Sequence, residues 1–146
     1  MTSPLFEVAY FPDFAGGKTI VLSGTKRALT EFAELLEALL GAGAGSVDLN
    51  NVEFIQCYGD VEVVLKIVDR KPGMKRTTKN ANAFEWALSI EKIREFSELI
   101  RVVAGNIGPT HHYLECFPYD EVTVVASKGE YDLRAMFHSI RANDSS

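Results

Sequence analysis

Twice along this chain an apolar stripe of helical period lies between segments of strand period, and that recurrence restricts it to α+β arrangements. The first stripe, Leu29, Phe32, Leu36 and Leu39, predicts a helix over about 26–40, with Glu31, Glu34 and Glu37 turned outward. Ser23 or Thr25 is placed to cap it, and the glycines of Gly41-Ala42-Gly43-Ala44-Gly45 end it. The second stripe, Ile93, Phe96, Ile100 and Val103, predicts a helix over about 90–104 behind the cap Ser89. Alternating or β-branched segments flank both. Lys18 to Ser23 and Phe84 to Leu88 precede the helices. Val52 to Tyr58 with Val61 to Val68, and His111 to Phe117 with Val122 to Ala126, follow them as hairpins. Phe6 to Phe11 reads as an additional strand before the first unit. The tail over 131–140 fits a short helix or a last strand equally well.

The two units also agree in letters. Leu22-Ser23 matches Leu88-Ser89, Phe32-Ala33-Glu34-Leu35-Leu36 matches Phe96-Ser97-Glu98-Leu99-Ile100, and Ile55-Gln56-Cys57-Tyr58 matches Leu114-Glu115-Cys116-Phe117. The expected fold is one domain over 1–146 of internally duplicated β-α-β-β units, about 18–69 and 84–128. These would form one curved, antiparallel-rich sheet with two helices on one face. Residues 70–83 would join them as a solvated basic linker.

Composition narrows the function classes. A net charge of −5 argues against a protein that tracks DNA or an anionic membrane. The exception is the stretch from Arg70 to Lys79, which carries +5 and leaves the remainder at −10. A nucleic-acid binder using that stretch is disfavoured by the balance. No apolar run approaches the roughly 20 residues of a membrane span, and Met1-Thr2-Ser3-Pro4 lacks the regions of a secretory signal. Cys57 and Cys116 are too few for a disulfide framework or a thiolate metal site and are expected to be buried and reduced. A cytoplasmic location is therefore expected.

Few motifs survive inspection. Gly16-Gly17-Lys18-Thr19 imitates a phosphate loop, but Pro12 stands where the leading glycine belongs and Ile20-Val21-Leu22 continues as strand rather than helix. Gly41, Gly43 and Gly45 follow a helix, the wrong order for a dinucleotide fingerprint. His111, Glu115 and Asp120 are the weak catalytic candidates, since histidine titrates near neutrality and a carboxylate can orient it. A small hydrolase or a metal-dependent enzyme using the His111–Asp120 region is the alternative reading. No zinc-ligand spacing accompanies it, and no metal or cofactor is expected. Trp86 reads as core.

Strand alternation supplies the leading reading. Ile55, Cys57, Val61, Val63, Leu65, Leu114, Cys116, Val122 and Val124 should face the helices. Phe54, Gln56, Tyr58, Tyr113, Glu115 and Phe117 should lie on an uncovered face that mixes aromatic and polar groups. Such a face suits a non-catalytic protein-binding domain, with Phe54, Tyr58, Tyr113, Glu115 and Phe117 as contact residues. Another protein or a second copy, as a homodimer, would cover it.

The segment His111-His112-Tyr113-Leu114-Glu115, followed by Val124-Val125-Ala126-Ser127-Lys128-Gly129-Glu130-Tyr131, resembles small acidic bacterial immunity proteins that neutralise toxins. The resemblance spans about the last quarter of the chain. It implies a toxin-binding inhibitor without a cofactor and transfers no functional residue.

Overall fold

Both helices start where a hydroxyl side chain takes over an orphan amide. Thr25 Oγ1 accepts from Ala28 N at 3.1 Å, and Ser89 Oγ accepts from Lys92 N at 3.2 Å. In the computed structural model, which describes residues 5–14, 16–42 and 45–130 with Leu133, Ala135 and Met136, these helices are α1 (Lys26–Ala42) and α2 (Ile90–Gly105). Nine strands accompany them among the described residues. They are β1 (Phe6–Phe14), β2 (Gly17–Gly24), β3 (Ser46–Asp48), β4 (Ile55–Cys57), β5 (Glu62–Ile67), β6 (Gly73–Arg76), β7 (Ala83–Leu88), β8 (Thr110–Tyr113) and β9 (Thr123–Lys128).

The chain is α+β, but its strands form two mixed sheets rather than one. The five-stranded sheet has the order β4-β1-β2-β9-β8 and the four-stranded sheet the order β3-β5-β7-β6. Parallel pairings β1–β4, β2–β9 and β5–β7 alternate with antiparallel ones, so each sheet draws on both halves of the chain. The structure does not confirm the expected internal duplication: β4 and β5 after α1 lie in different sheets, whereas β8 and β9 after α2 pair with each other. β3, a 3-10 turn at Leu49–Asn51 and β4 occupy the place where the second half has β8 alone. Ile55–Cys57 is an edge strand beside β1, whereas its lettered counterpart runs off the end of β8 into a turn. Gly59-Asp60, with φ of 67° and 60°, does not close a hairpin. It passes the chain from β4 in one sheet to β5 in the other.

One core is enclosed by the inner faces of both sheets and the apolar sides of both helices. Phe6 of β1 stacks on Phe32 of α1 at 4.3 Å, Phe32 on Trp86 of β7 at 6.4 Å, and Trp86 on Phe96 of α2 at 5.9 Å. This aromatic column ties every layer together. Bidentate pairing of Arg101 with Glu37, at 2.7 and 3.0 Å, bridges the helices at the surface, and Ser97 donates to the same carboxylate.

The segment expected as a solvated linker contains β6. Met74 is fully buried, and the strand pairs antiparallel with β7. Gly73 is required there, because a Cβ would lie 2.8 Å from the Tyr119 main chain. Arg76 donates to Tyr10 Oη at 2.6 Å and sits over the Tyr10 and Phe84 rings. Charged residues on this short edge strand hinder pairing with a foreign strand, which reconciles the basic composition with sheet structure.

The outer face of the five-stranded sheet is not open at its centre. Leu133, fully buried and helical like Ala135 and Met136, packs with Ala9, Phe11, Val21 and Val125 in a second apolar cluster. The rest of 131–140 lies outside the described residues.

Candidate functional site

The site is built outward from β8, the edge of the five-stranded sheet. In its antiparallel pairing with β9, Leu114 N donates to Val124 O at 2.9 Å, so Leu114 and Val124 form a hydrogen-bonded pair. Ladder alternation then makes His111–Ser127 and Tyr113–Val125 the non-bonded pairs. The main-chain groups of His111, Tyr113 and Glu115 therefore point away from the sheet. Lys92 Nζ of α2 donates to the Glu115 carbonyl at 2.9 Å. The outward groups of His111 and Tyr113 remain open among the described residues.

Beyond β8 the chain makes a turn that Asp120 fixes. One carboxylate oxygen accepts from Cys116 N at 2.6 Å and the other from Met74 N at 2.8 Å. Glu121 N donates to Met74 O, and Arg76 N donates to the Glu121 carboxylate at 3.1 Å. The turn, which contains a cis Phe117–Pro118 peptide, is thus sewn to β6. Phe117 projects from it with 91% of its surface exposed. A groove of about 450 Å³ runs beside the turn, with Lys18, Glu115, Phe117 and Glu121 on its walls.

The expected contact residues separate into two groups. Tyr113, at 44% exposure, lies on β8 with exposed Glu115 and Phe117 just beyond it. Phe54 and Tyr58 flank β4, at the other edge of the same sheet. Four strand spacings, roughly 19 Å, keep the groups apart, so the five residues do not make one platform. Phe54 also turns inward, packing edge-on to Phe6 at 6.3 Å, and Tyr58 Oη donates to the Glu7 carboxylate. Alternation misplaces Phe54 because it lies in the turn before β4, where strand parity does not apply.

The three catalytic candidates are also separated. His111 Nδ1–H donates to the Glu130 carboxylate at 2.9 Å, and the ring meets Tyr113 edge-on at 5.7 Å. Glu115 lies four strand residues on, about 13 Å away. Both oxygens of Asp120 are occupied by main-chain amides. Among the described residues no three His, Cys, Asp or Glu side chains converge as metal ligands, and no helix is long and apolar enough to cross a membrane.

The inward assignments hold, with one adjustment: Cys116 is buried, but Cys57 is only half-buried, and both are free thiols. Burial, then the charge of Asp120, pushes the Cys116 thiol up to about 12. Burial, then Asp48, pushes Cys57 up to about 11. Neither is set up as a nucleophile.

Lys92, Ile107 and Glu130 enter the site unannounced by the sequence. Lys92 was one lysine in a helix. Ile107, 99% exposed, lies in Gly105-Asn106-Ile107-Gly108-Pro109, where the glycines and proline read as a helix stop and mask an apolar side chain in solvent. Comparison with protein families, curated proteins and solved structures finds no match for the chain.

Proposed function

We propose that the chain is a non-catalytic protein-binding domain whose contact surface is the β8 edge and the turn after it. Phe117 carries this reading. An aromatic ring held out from a turn that is itself fastened to β6 loses little conformational freedom when it is buried, as interface anchors do. The hydrolase alternative requires His111 and Asp120 to act together, whereas each is engaged by other partners. Within the binding class, an immunity-type inhibitor is the sharper version. The net charge of −5 favours capture of a basic toxin, and such binding needs no cofactor.

Capture by a tagged chain from cells that also contain untagged copies tests the contact surface. Parent protein should retain a partner that the Phe117→Ser variant retains at least about tenfold less well, the loss expected of an anchor residue. Equal retention by both refutes the assignment of the surface.

A further inference from the structure

We infer that β8 pairs antiparallel with β8 of a second copy of this chain, about a twofold axis at His112; this rests on the reading of the β8 edge as the contact surface. The outward main-chain groups of His111 and Tyr113 flank His112 symmetrically. A twofold there sets His111 opposite the partner's Tyr113 and Tyr113 opposite the partner's His111. Each pair can exchange both N–H···O bonds.

The neighbouring positions fit this register and no adjacent one. Pro109 would face Glu115 of the partner subunit. Proline has no N–H to offer, and the Glu115 carbonyl needs none, because Lys92 Nζ already donates to it. Centring on His111 instead sets Pro109 against the partner's Tyr113, whose carbonyl is left without a donor. Centring on Tyr113 sets His111 against the partner's Glu115, whose carbonyl would have to accept a second bond beside that from Lys92. Only the His112 centre leaves no outward carbonyl without a donor and asks none to accept twice.

The apolar surface has the same symmetry. Ile107 and Phe117, at 99% and 91% exposure, are the most exposed large apolar side chains of the described residues. They lie five residues before and five after His112. The twofold therefore carries each Ile107 toward the partner's Phe117, covering both.

Four measurements on the full chain test the pairing. Sedimentation equilibrium of the parent should show a monomer–dimer equilibrium. Tyr113→Pro removes an outward N–H without touching the β9 ladder, where edge prolines are tolerated, and should weaken dimerisation about thirtyfold because both copies lose the donor. Tyr113→Ala, which keeps the N–H, controls for the side chain and should dimerise more tightly than the proline variant. In His112→Cys the facing residues form a non-bonded pair with Cβ atoms near disulfide reach, so mild oxidation should cross-link it. The parent, with one buried and one half-buried thiol, should not cross-link. Ile107→Lys and Phe117→Asp should each dissociate the dimer, and the double variant should restore it through the new opposite charges.

A parent that stays monomeric together with an uncrosslinked His112→Cys overturns the pairing. Dimers unaffected by Tyr113→Pro overturn it as well. The wider reading is decided separately, by capture of a different protein that is lost with Phe117→Ser.

Discussion

Replacing Asp120 by alanine tests whether the turn bearing Phe117 is built or merely present. The carboxylate accepts two main-chain amides, at 2.6 and 2.8 Å, from opposite sides of the joint between the turn and β6. Hydrogen bonds to a charged group contribute about 1.5–3 kcal/mol each. Asp120 is half-buried, so the lower end applies, and removal of both should cost about 3 kcal/mol. In a domain of this length that corresponds to a fall in Tm of roughly 6–12 °C. Asp120→Asn keeps one acceptor oxygen and should lose about half as much. Urea denaturation of the three proteins measures the series. Asp120→Ala should also speed alkylation of Cys116, because the carboxylate's charge helps to hold that thiol up, although burial is the larger cause. A loss below about 1 kcal/mol for the alanine variant, with Cys116 reactivity unchanged, refutes the argument that the carboxylate organises the turn.

Native protein at pH 8 should react with alkylating reagents slowly at Cys57 and more slowly at Cys116, since burial raises the thiols to about 11 and about 12; mass spectrometry of timed samples orders the two sites. Glu37 is held below its ordinary value of 4.5 by the Arg101 hydrogen bonds first and Ser97 second, so its stabilising effect is complete above 4.5 and is lost as pH falls through the folded value. Glu37→Gln should therefore flatten the acid limb of the stability–pH curve below 4.5 and leave its shape near neutrality unchanged, as thermal melts across acid pH would show. Leu133→Ala should cost about 2–3 kcal/mol in chemical denaturation if this side chain seals the outer cluster, and a change within about 0.5 kcal/mol would unseat it.

The helices were legible because their signals are local. Stripe, cap and glycine stop all fall within one segment, and Thr25 and Ser89 cap as their positions imply. Inward residues were legible for a similar reason: alternation assigns a face to Val63, Leu65 and Val124 without reference to any neighbour. Pairing carries no such signal. β2 lies beside β9, about a hundred residues away, and nothing in Thr19–Ser23 distinguishes Thr123–Ser127 from any other β-branched strand. β6 was hidden by its charges, with Met74 the one apolar residue in a basic run. The candidate site divides along the same line. Tyr113 follows from parity at β8, and Glu115 and Phe117 are exposed by the turn beyond it, whereas Phe54 and Tyr58 join them on one platform only if the strands form a single sheet. Two sheets set the aromatic groups at opposite edges of one of them, and cover its centre with Leu133.

One grouping in the five-stranded sheet imitates catalytic machinery. Ser127 is the non-bonded cross-strand partner of His111, and His111 Nδ1 is held by Glu130, the order of a serine, a histidine and an acid. Burial argues against that role. Ser127 is fully buried, and among the described residues its Oγ finds no hydrogen-bond partner, His111 included. A nucleophile must be reachable by its substrate and within reach of its base, and Ser127 meets neither condition. A buried hydroxyl without a partner instead carries an uncompensated desolvation cost of about 1–3 kcal/mol. Ser127→Ala should then leave stability unchanged or raise it by up to about 2 kcal/mol. A fluorophosphonate probe should not label the parent protein. Urea denaturation and mass spectrometry of probe-treated protein read the two outcomes. Labelling at Ser127, abolished by His111→Ala, would make this grouping an active site and displace the binding reading; a loss above about 1 kcal/mol in the alanine variant would show that the hydroxyl is satisfied after all.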